Sequence, residues 1–468
     1  LITGGRAIRA IAAAVALAMI AGACSGDEGD DGAGSSAPPA ASDAGSSATA
    51  PADTESATTD ADPVATDPTT TDAGSPTTDG AGAADDPNVV FADLAPPTGE
   101  PMVLGLVNTE GTPGLDFPDI RLAIAGTVDY LNAHGGVGGR PIELETCTAN
   151  GSPETSQACA QELTGKGVEM VLLGLDLFPD YATYTAAGVP VVGMLPILPG
   201  DYSANAWFLT GGNATVMAAA ASVAKEHFQA GTVAIVSADN AGANSSLDAL
   251  TAALDKAGVA WTAVKGGDNE TDAGYQGLMR EAASGDPDLL VSLYSDAGCI
   301  GTMRGRASLG ITIPVITTGI CSSSDVLEQV GDDAVGWNFI GVSTQEDTPA
   351  LAILQEIMAP VLDVEPAEVD STALGLGALG LTMMLSIAVF GNRLAGDGAE
   401  VSGRGIYDLL GTADDLTSWP GTTPIDCGAA PAYPAICAFI FPFAEYREGG
   451  EVTTIPGLEA VSALEYLP

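Results

Sequence analysis

The sequence predicts an α/β protein whose parallel sheets are covered by helices on both faces, arranged as two lobes. Short, continuously apolar runs alternate with helical runs from residue 102 to residue 330. A strand that is apolar throughout is buried on both faces, as parallel strands are. About 370 residues follow the polar N-terminal stretch, too many for one compact core and suited to two.

Residues 102–108 read as the first strand. A helix over 117–134 follows, with Ile120, Ile124, Val128 and Leu131 along one face. It stops at Gly135-Gly136-Val137-Gly138-Gly139, a glycine-rich turn. Then come a strand (141–146), a helix (153–166), a strand (168–173), a short helix and a strand (189–193). A second lobe starts near Asn213 with a helix over 213–228. Strands at 232–237, 260–264, 288–293 and 313–317 then alternate with helices at 245–257, 273–284, 299–309 and 323–330. From Gly336 the chain is expected to return mostly to the first lobe, with helices at 348–362, 371–390 and 403–411 and a late strand at 435–440. The expected division is 99–212 for lobe 1, 213–335 for lobe 2 and 336–468 for the return segment, mostly in lobe 1 with a possible crossover to lobe 2.

The chain opens differently. Arg6 and Arg9 precede an apolar stretch over 11–20, too short to span a bilayer as a helix. Ala21-Gly22-Ala23-Cys24 follows and resembles the lipobox of bacterial lipoproteins, although Ala21 stands where that motif usually has Leu. The resemblance implies a leader over 1–24 and a lipidated Cys24 at the extracytoplasmic face of the membrane. An ordinary cleaved signal peptide is the alternative. Residues 25–90 hold 14 Asp and Glu and no Lys or Arg. Such a composition lacks the apolar mass to offset chain ordering, so 25–98 reads as a disordered acidic tether.

Residues 91–468 hold 47 acids against 12 bases, within a whole-chain charge of -47. That surface excludes nucleic acid and anionic lipid as partners and leaves the lipid as the only membrane contact. It also disfavours casual self-association, and a monomer is expected. With Cys24 set aside, six cysteines remain, an even number that suits disulfides outside the cell. Six allow fifteen pairings. The sequential one, Cys147–Cys159, Cys299–Cys321 and Cys427–Cys437, is preferred because each pair lies near strand ends or short loops.

Residues 371–392 carry no charged side chain, and a hydropathy scan would take them for a membrane span. A buried helix is preferred, with Gly375, Gly377 and Gly380 permitting close packing. The same run spells GxGxxG at 375–380, but no strand precedes it, as a dinucleotide site requires. No HExxH, GxSxG, GxxxxGK[ST] or CxxC occurs, and His134 and His227 lie in ordinary helical contexts. Metal, cofactor and catalytic residues are therefore not expected.

The runs MVLGLVNTEGTPG, VDYLNAHGGVGGRPIELETC, SQACAQELTGKGVEMVLLG, AAGVPVVG and GTVAIVSADNAGANSS resemble the type I periplasmic binding proteins, nearest their leucine/isoleucine/valine-binding branch. The resemblance implies two Rossmann-like lobes joined by a three-strand hinge. It implies a small solute bound in the cleft, delivery to an ABC permease, no enzyme activity and a disulfide between Cys147 and Cys159. A sensory or scaffold protein of the same fold and an exported enzyme are the alternatives.

In parallel sheets, ligands bind beyond the C-terminal strand ends. In lobe 1 those ends offer Thr109, Glu110, Asp176, Leu177, Phe178, Met194 and Leu195. In lobe 2 they offer Asp239, Asn240, Ala241, Tyr294, Ser295, Asp296 and Thr318. Backbone amides at helix starts could hold an anion, and Asp239 or Asp296 an amine. Phe178, Met194, Leu195 and Tyr294 would supply apolar walls. The family's amino-acid receptors usually carry a hydroxyl pair after the third strand, where this chain has Asp176-Leu177-Phe178. Met194-Leu195 stand where a hydroxyl usually follows the fourth strand, and Ala241-Gly242 where Tyr-Gly often follows the first strand of lobe 2. The expected solute is thus an amino acid or, by preference, another small and partly apolar compound.

Overall fold

The computed structural model describes residue 91 and residues 94–468, except 113–114, 343–348, 372–373 and 422 and the side chain of Asp296; the leader, Cys24 and most of the tether lie outside them. The chain begins β1 (Met102–Thr109), α1 (Pro118–Ala133), β2 (Ile142–Ala149), α2 (Pro153–Lys166), β3 (Met170–Leu173), α3 (Tyr181–Ala187), β4 (Val191–Gly193) and β5 (Trp207–Phe208). These five strands form one parallel sheet in the order β2-β1-β3-β4-β5. Central β1 is buried at every position except Val103, as a strand flanked on both sides and covered on both faces must be.

Local chemistry sets the helix ends. Ser152 caps α2 by accepting from the Thr155 N–H, Pro153 opens it, and Gly167 closes it at φ 75°. The turn after α1 needs its glycines. At Gly136, φ is 65° and a Cβ would lie 2.1 Å from the Arg140 carbonyl oxygen.

The second lobe comprises α4 (Gly212–Ser222), β6 (Thr232–Ala238), α5 (Ala241–Ala257), β7 (Ala260–Gly266), α6 (Asp272–Ala283), β8 (Leu289–Leu293), α7 (Asp296–Ser308), β9 (Val315–Thr318), α8 (Ser324–Val330) and β10 (Trp337–Ile340). There follow α9 (Pro349–Leu362), α10 (Gly375–Gly396), α11 (Gly403–Leu410), β11 (Leu416–Ser418), β12 (Thr423–Ile425), β13 (Ile440–Phe441), β14 (Phe443–Arg447), β15 (Glu451–Thr454) and β16 (Val461–Ser462). The second sheet has the order β15-β14-β10-β9-β8-β6-β7, with only β14 and β15 antiparallel to their neighbours.

The return segment differs from the sequence expectation in two places. Trp337–Ile340 does not turn back to lobe 1 but forms β10 beside β9, because all four residues are buried there. The strand expected over 435–440 is not continuous. Ile436 makes one parallel bridge to Phe208, and only Ile440–Phe441 pairs further, with Val461 and Ser462. Residues 435–437 are held from both sides: Phe208 N–H donates to the Ala435 carbonyl, Cys437 N–H donates to that of Phe208, and Asp426 N–H donates to that of Cys437.

The apolar run near residue 380 is a helix of the lobe 1 core, packed on α1 together with α9. It is long and apolar enough to cross a membrane, but most of it is buried by protein. A Cβ at Gly380 would stand 3.1 Å from Ile124 Cγ1 and one at Gly377 3.3 Å from the Asp119 carbonyl oxygen, so the glycines do permit close packing. Three disulfides form with the sequential pairing: Cys147–Cys159, Cys299–Cys321 and Cys427–Cys437. The chain passes between the sheets three times: after β5, after β10 and between Ile436 and β14. One apolar cluster runs through these passages, from Val171 and Phe208 by way of the α4 alanines to Ile235, Leu289 and Phe443.

Candidate functional site: the strand ends of the two lobes

Parallel pairing gathers the C-terminal ends of β1, β3 and β4 on one edge of the first sheet and those of β6, β8 and β9 on one edge of the second. The first edge is organised by Asn108, which is 1% exposed. Its Nδ2 donates to the Phe117 carbonyl at 2.7 Å and to Glu110 Oε1 at 3.1 Å, while its Oδ1 accepts from the Leu175 N–H at 3.0 Å. One amide thus ties the end of β1 to the start of α1 and to the loop after β3. Glu110 is further held by a two-pronged pair with Arg121, at 2.8 and 3.0 Å.

Leu177 and Met194 are buried in the lobe 1 core, and Leu195 packs half-buried against it. Thr109 is fully buried, and its hydroxyl has no hydrogen-bond partner among the described residues. Phe178 is 39% exposed, unusual for a ring of its size and therefore informative. Asp176 is 2% exposed. Its Oδ1 accepts from Ser156 Oγ at 2.5 Å and from the Phe178 N–H at 3.2 Å, and its Oδ2 has no partner among the described residues. Burial pushes this carboxyl above its ordinary pKa against the two hydrogen bonds, and the charge of Asp201 adds to the rise. Asp201 accepts from Tyr181 at 2.7 Å and from the Ile197 and Leu198 N–H groups, both at 2.8 Å. Burial, then the Asp201 charge, raises the Tyr181 phenol far above its usual range.

On the lobe 2 edge, Asn240 caps α5 by accepting from the Ala243 N–H at 2.9 Å and bonds Asp268 through Nδ2. Ala241 is half-buried behind it. Asp239 is exposed, with Lys265 Nζ at 4.0 Å. Tyr294 is buried edge-on to Tyr275 and its hydroxyl has no hydrogen-bond partner among the described residues; burial raises its pKa. Ser295 precedes α7 without a side-chain cap, Asp296 is the first residue of that helix, and Thr318 is half-buried at the end of β9. The Cys299–Cys321 bridge joins the first turn of α7 to the turn after β9 and so holds the segments that carry Tyr294, Ser295 and Thr318 together. Ile320, in that same turn, is 45% exposed. It follows Thr318 by two residues, yet nothing in the sequence separates it from a core isoleucine. Arg121, Tyr181 and Asp201 were equally silent, because the side chains they pair with lie eleven or twenty residues away.

Two hollows lie off these edges. One, of about 470 Å³, sits between residues 94–98, the turn at 135–139 and α10; the other, of about 310 Å³, lies between α6 and α7. Both fall within the size range of small-molecule sites, so volume alone does not locate one. Among the described residues no cluster of His, Cys, Asp and Glu could hold a metal ion.

Two lobes, each with a helix-covered parallel sheet and joined by three chain passages, have the build of a small-molecule receptor rather than an enzyme. The chain belongs to the periplasmic binding protein family, whose profile matches residues 103–386. Solved structures share the fold. An ABC transporter substrate-binding protein from Sphaerobacter thermophilus matches with a TM-score of 0.59 at 18% identity, over 78% of this chain and 99% of that one. An extracellular ligand-binding receptor from Verminephrobacter eiseniae matches with 0.52 at 15%, over 75% and 99%. A leucine binding protein from Thermotoga maritima matches with 0.51 at 13%, over 78% and 99%. No curated protein matches in sequence. The resemblance to the type I branch is borne out.

The raised Asp176 carboxyl has a consequence for stability. The folded state keeps its proton over a range where the unfolded chain, with a carboxyl near 3.8, has lost it. This contribution is full at low pH and is lost as pH rises through the folded-state pKa. Asp176→Asn keeps an oxygen for Ser156 and Phe178 and removes the titration. Urea unfolding of this variant should show equal or higher stability than the native chain at pH 7, and a flatter pH profile above pH 4. A variant less stable at pH 7 would show that the ionised carboxylate is needed.

Proposed function

We propose that this protein is a lipid-anchored extracytoplasmic receptor that takes a small, partly apolar molecule between its lobes and delivers it to an ABC permease. The observation that supports this most is the pair of strand-end edges, one in each lobe, with half-buried polar residues and the exposed Phe178 and Ile320. Binding at both edges draws the lobes together, and the free energy of binding shifts an open–closed equilibrium without any chemical step. The candidate contacts are Thr109, Glu110, Phe178 and Leu195 from lobe 1, and Asp239, Asn240, Ala241, Tyr294, Ser295, Asp296 and Thr318 from lobe 2. The buried Asp176, Leu177 and Met194 support that surface from behind. The receptor acts as a monomer held away from the membrane by residues 25–98, with the lipid on Cys24.

Thermal unfolding of the full chain against amino acids, amides, polyamines, aromatic acids and sugars tests the receptor function. A specific solute raises the midpoint with the logarithm of its excess over Kd, by about 2.7 kcal/mol at a hundredfold excess. A saturable rise with one chemical class is expected; no rise with any class would contradict the proposal. For the anchor, Cys24→Ser should move the protein from the membrane fraction to the soluble fraction. Retention in the membrane fraction would exclude a lipid on Cys24.

A further inference from the structure

One hydrogen bond runs directly from lobe to lobe: Ser324 Oγ donates to Asp370 Oδ2. Ser324 opens α8, two residues past the turn Gly319–Ser322 that leads on from β9. It therefore stands at the strand-end edge of lobe 2. Asp370 lies five residues before α10, and α10 starts beside the first turn of α1, where a Cβ at Gly377 would meet the Asp119 carbonyl oxygen at 3.3 Å. Asp370 thus stands at the strand-end edge of lobe 1. Neither residue belongs to a chain passage.

Each end of the bond is fixed within its own lobe. Val326 and Val330 seat α8 in the lobe 2 core, and the Cys299–Cys321 bridge pins the turn before it. On the other side, Val369 and Leu374 belong to the lobe 1 core, and Val369 N–H donates to the Pro366 carbonyl at 3.2 Å. A hydrogen bond fails once donor and acceptor part by more than about 3.5 Å. Two short side chains on fixed supports therefore keep this one in a single arrangement of the lobes. Charge works against that arrangement. Residues 99–212 hold 13 acids against 3 bases, and residues 213–335 hold 15 against 6. Lobes of like sign repel, which favours separation. A neutral hydroxyl meeting a carboxylate supplies attraction across the gap.

Given the open–closed receptor described above, we propose that Ser324 and Asp370 form a closure latch. The bond forms when the two strand-end edges come together and breaks when they part, so it sets the fraction of closed receptor before any solute arrives. The apparent affinity for a solute that binds the closed form scales with that fraction.

Energy transfer between two dyes on the full chain, with no solute added, reads the closed fraction. The dyes are carried on encoded azido side chains at Glu154, just past β2, and at Asn269, just past β7, both exposed. Strands β2 and β7 end their sheets and lie farthest from β5 and β10, where two of the passages leave, so opening moves these sites apart. Asp370→Ala and Ser324→Ala should each raise the population at the longer distance by about two- to tenfold, and the double variant should add nothing further. Asp370→Ala also removes a negative charge, which by repulsion alone would favour closure, so the sign of its effect separates a latch from general electrostatics. Asp370→Asn keeps an acceptor oxygen and should open the chain less. Unchanged distances in both single variants, or a smaller open population in Asp370→Ala, would overturn the latch. Either result leaves the receptor function standing, because solute binding is read separately from the melting midpoint.

Discussion

Parallel strand pairing is the constraint on which this structure depends. A parallel neighbour cannot be reached by a tight turn, so each strand must be followed by a crossover, here mostly a helix, that carries the chain back along the sheet. Every parallel strand of a sheet then ends at the same edge, and the segment that follows it starts there. In lobe 1 that puts the ends of β1, β3 and β4 side by side, and in lobe 2 those of β6, β8 and β9. The loops at these edges have no sheet neighbours to order them. Side chains do it instead: Asn108 in lobe 1, through three hydrogen bonds, and the Cys299–Cys321 bridge in lobe 2. Neither alone makes a binding surface, but each fixes to one another loops that are remote in sequence.

The two lobes are joined by more than chain continuity. Apolar residues of both sheets belong to one cluster centred on α4, which is buried along most of its length. The third passage is braced by Cys427–Cys437 and by the hydrogen bonds between Phe208 and residues 435–437. The C-terminal segment adds to this, with Tyr466 donating to Glu226 at 2.6 Å. The three passages and the cluster around α4 thus tie the two lobes together.

Most of lobe 1 and the core strands of lobe 2 were legible because continuous apolar runs such as 170–173 and 289–293 admit one reading, and because Ser152, Asn240 and Gly167 mark helix ends by local chemistry alone. The return segment was harder. Strands β10, β14 and β15 are short, and β14 pairs with a partner about a hundred residues away, so no local pattern announces them. The candidate site could be read from the sequence only as a set of positions, not as a surface. Sequence places Leu177 and Met194 at strand ends but does not reveal that they turn into the core, nor that Phe178 and Ile320 turn out. Asp176 shows the same limit. Its meaning depends on Ser156, twenty residues earlier, and on Asp201, twenty-five residues later.

Amide hydrogen exchange of the full chain, with and without the compound that most raises its melting midpoint, tests the strand-end site most directly. Protection should rise in peptides covering 108–110, 174–178 and 193–195 of lobe 1 together with 239–242, 294–298 and 318–322 of lobe 2. Protection confined to one lobe, or centred on the opposite strand ends near residues 135–139, would contradict binding between the lobes.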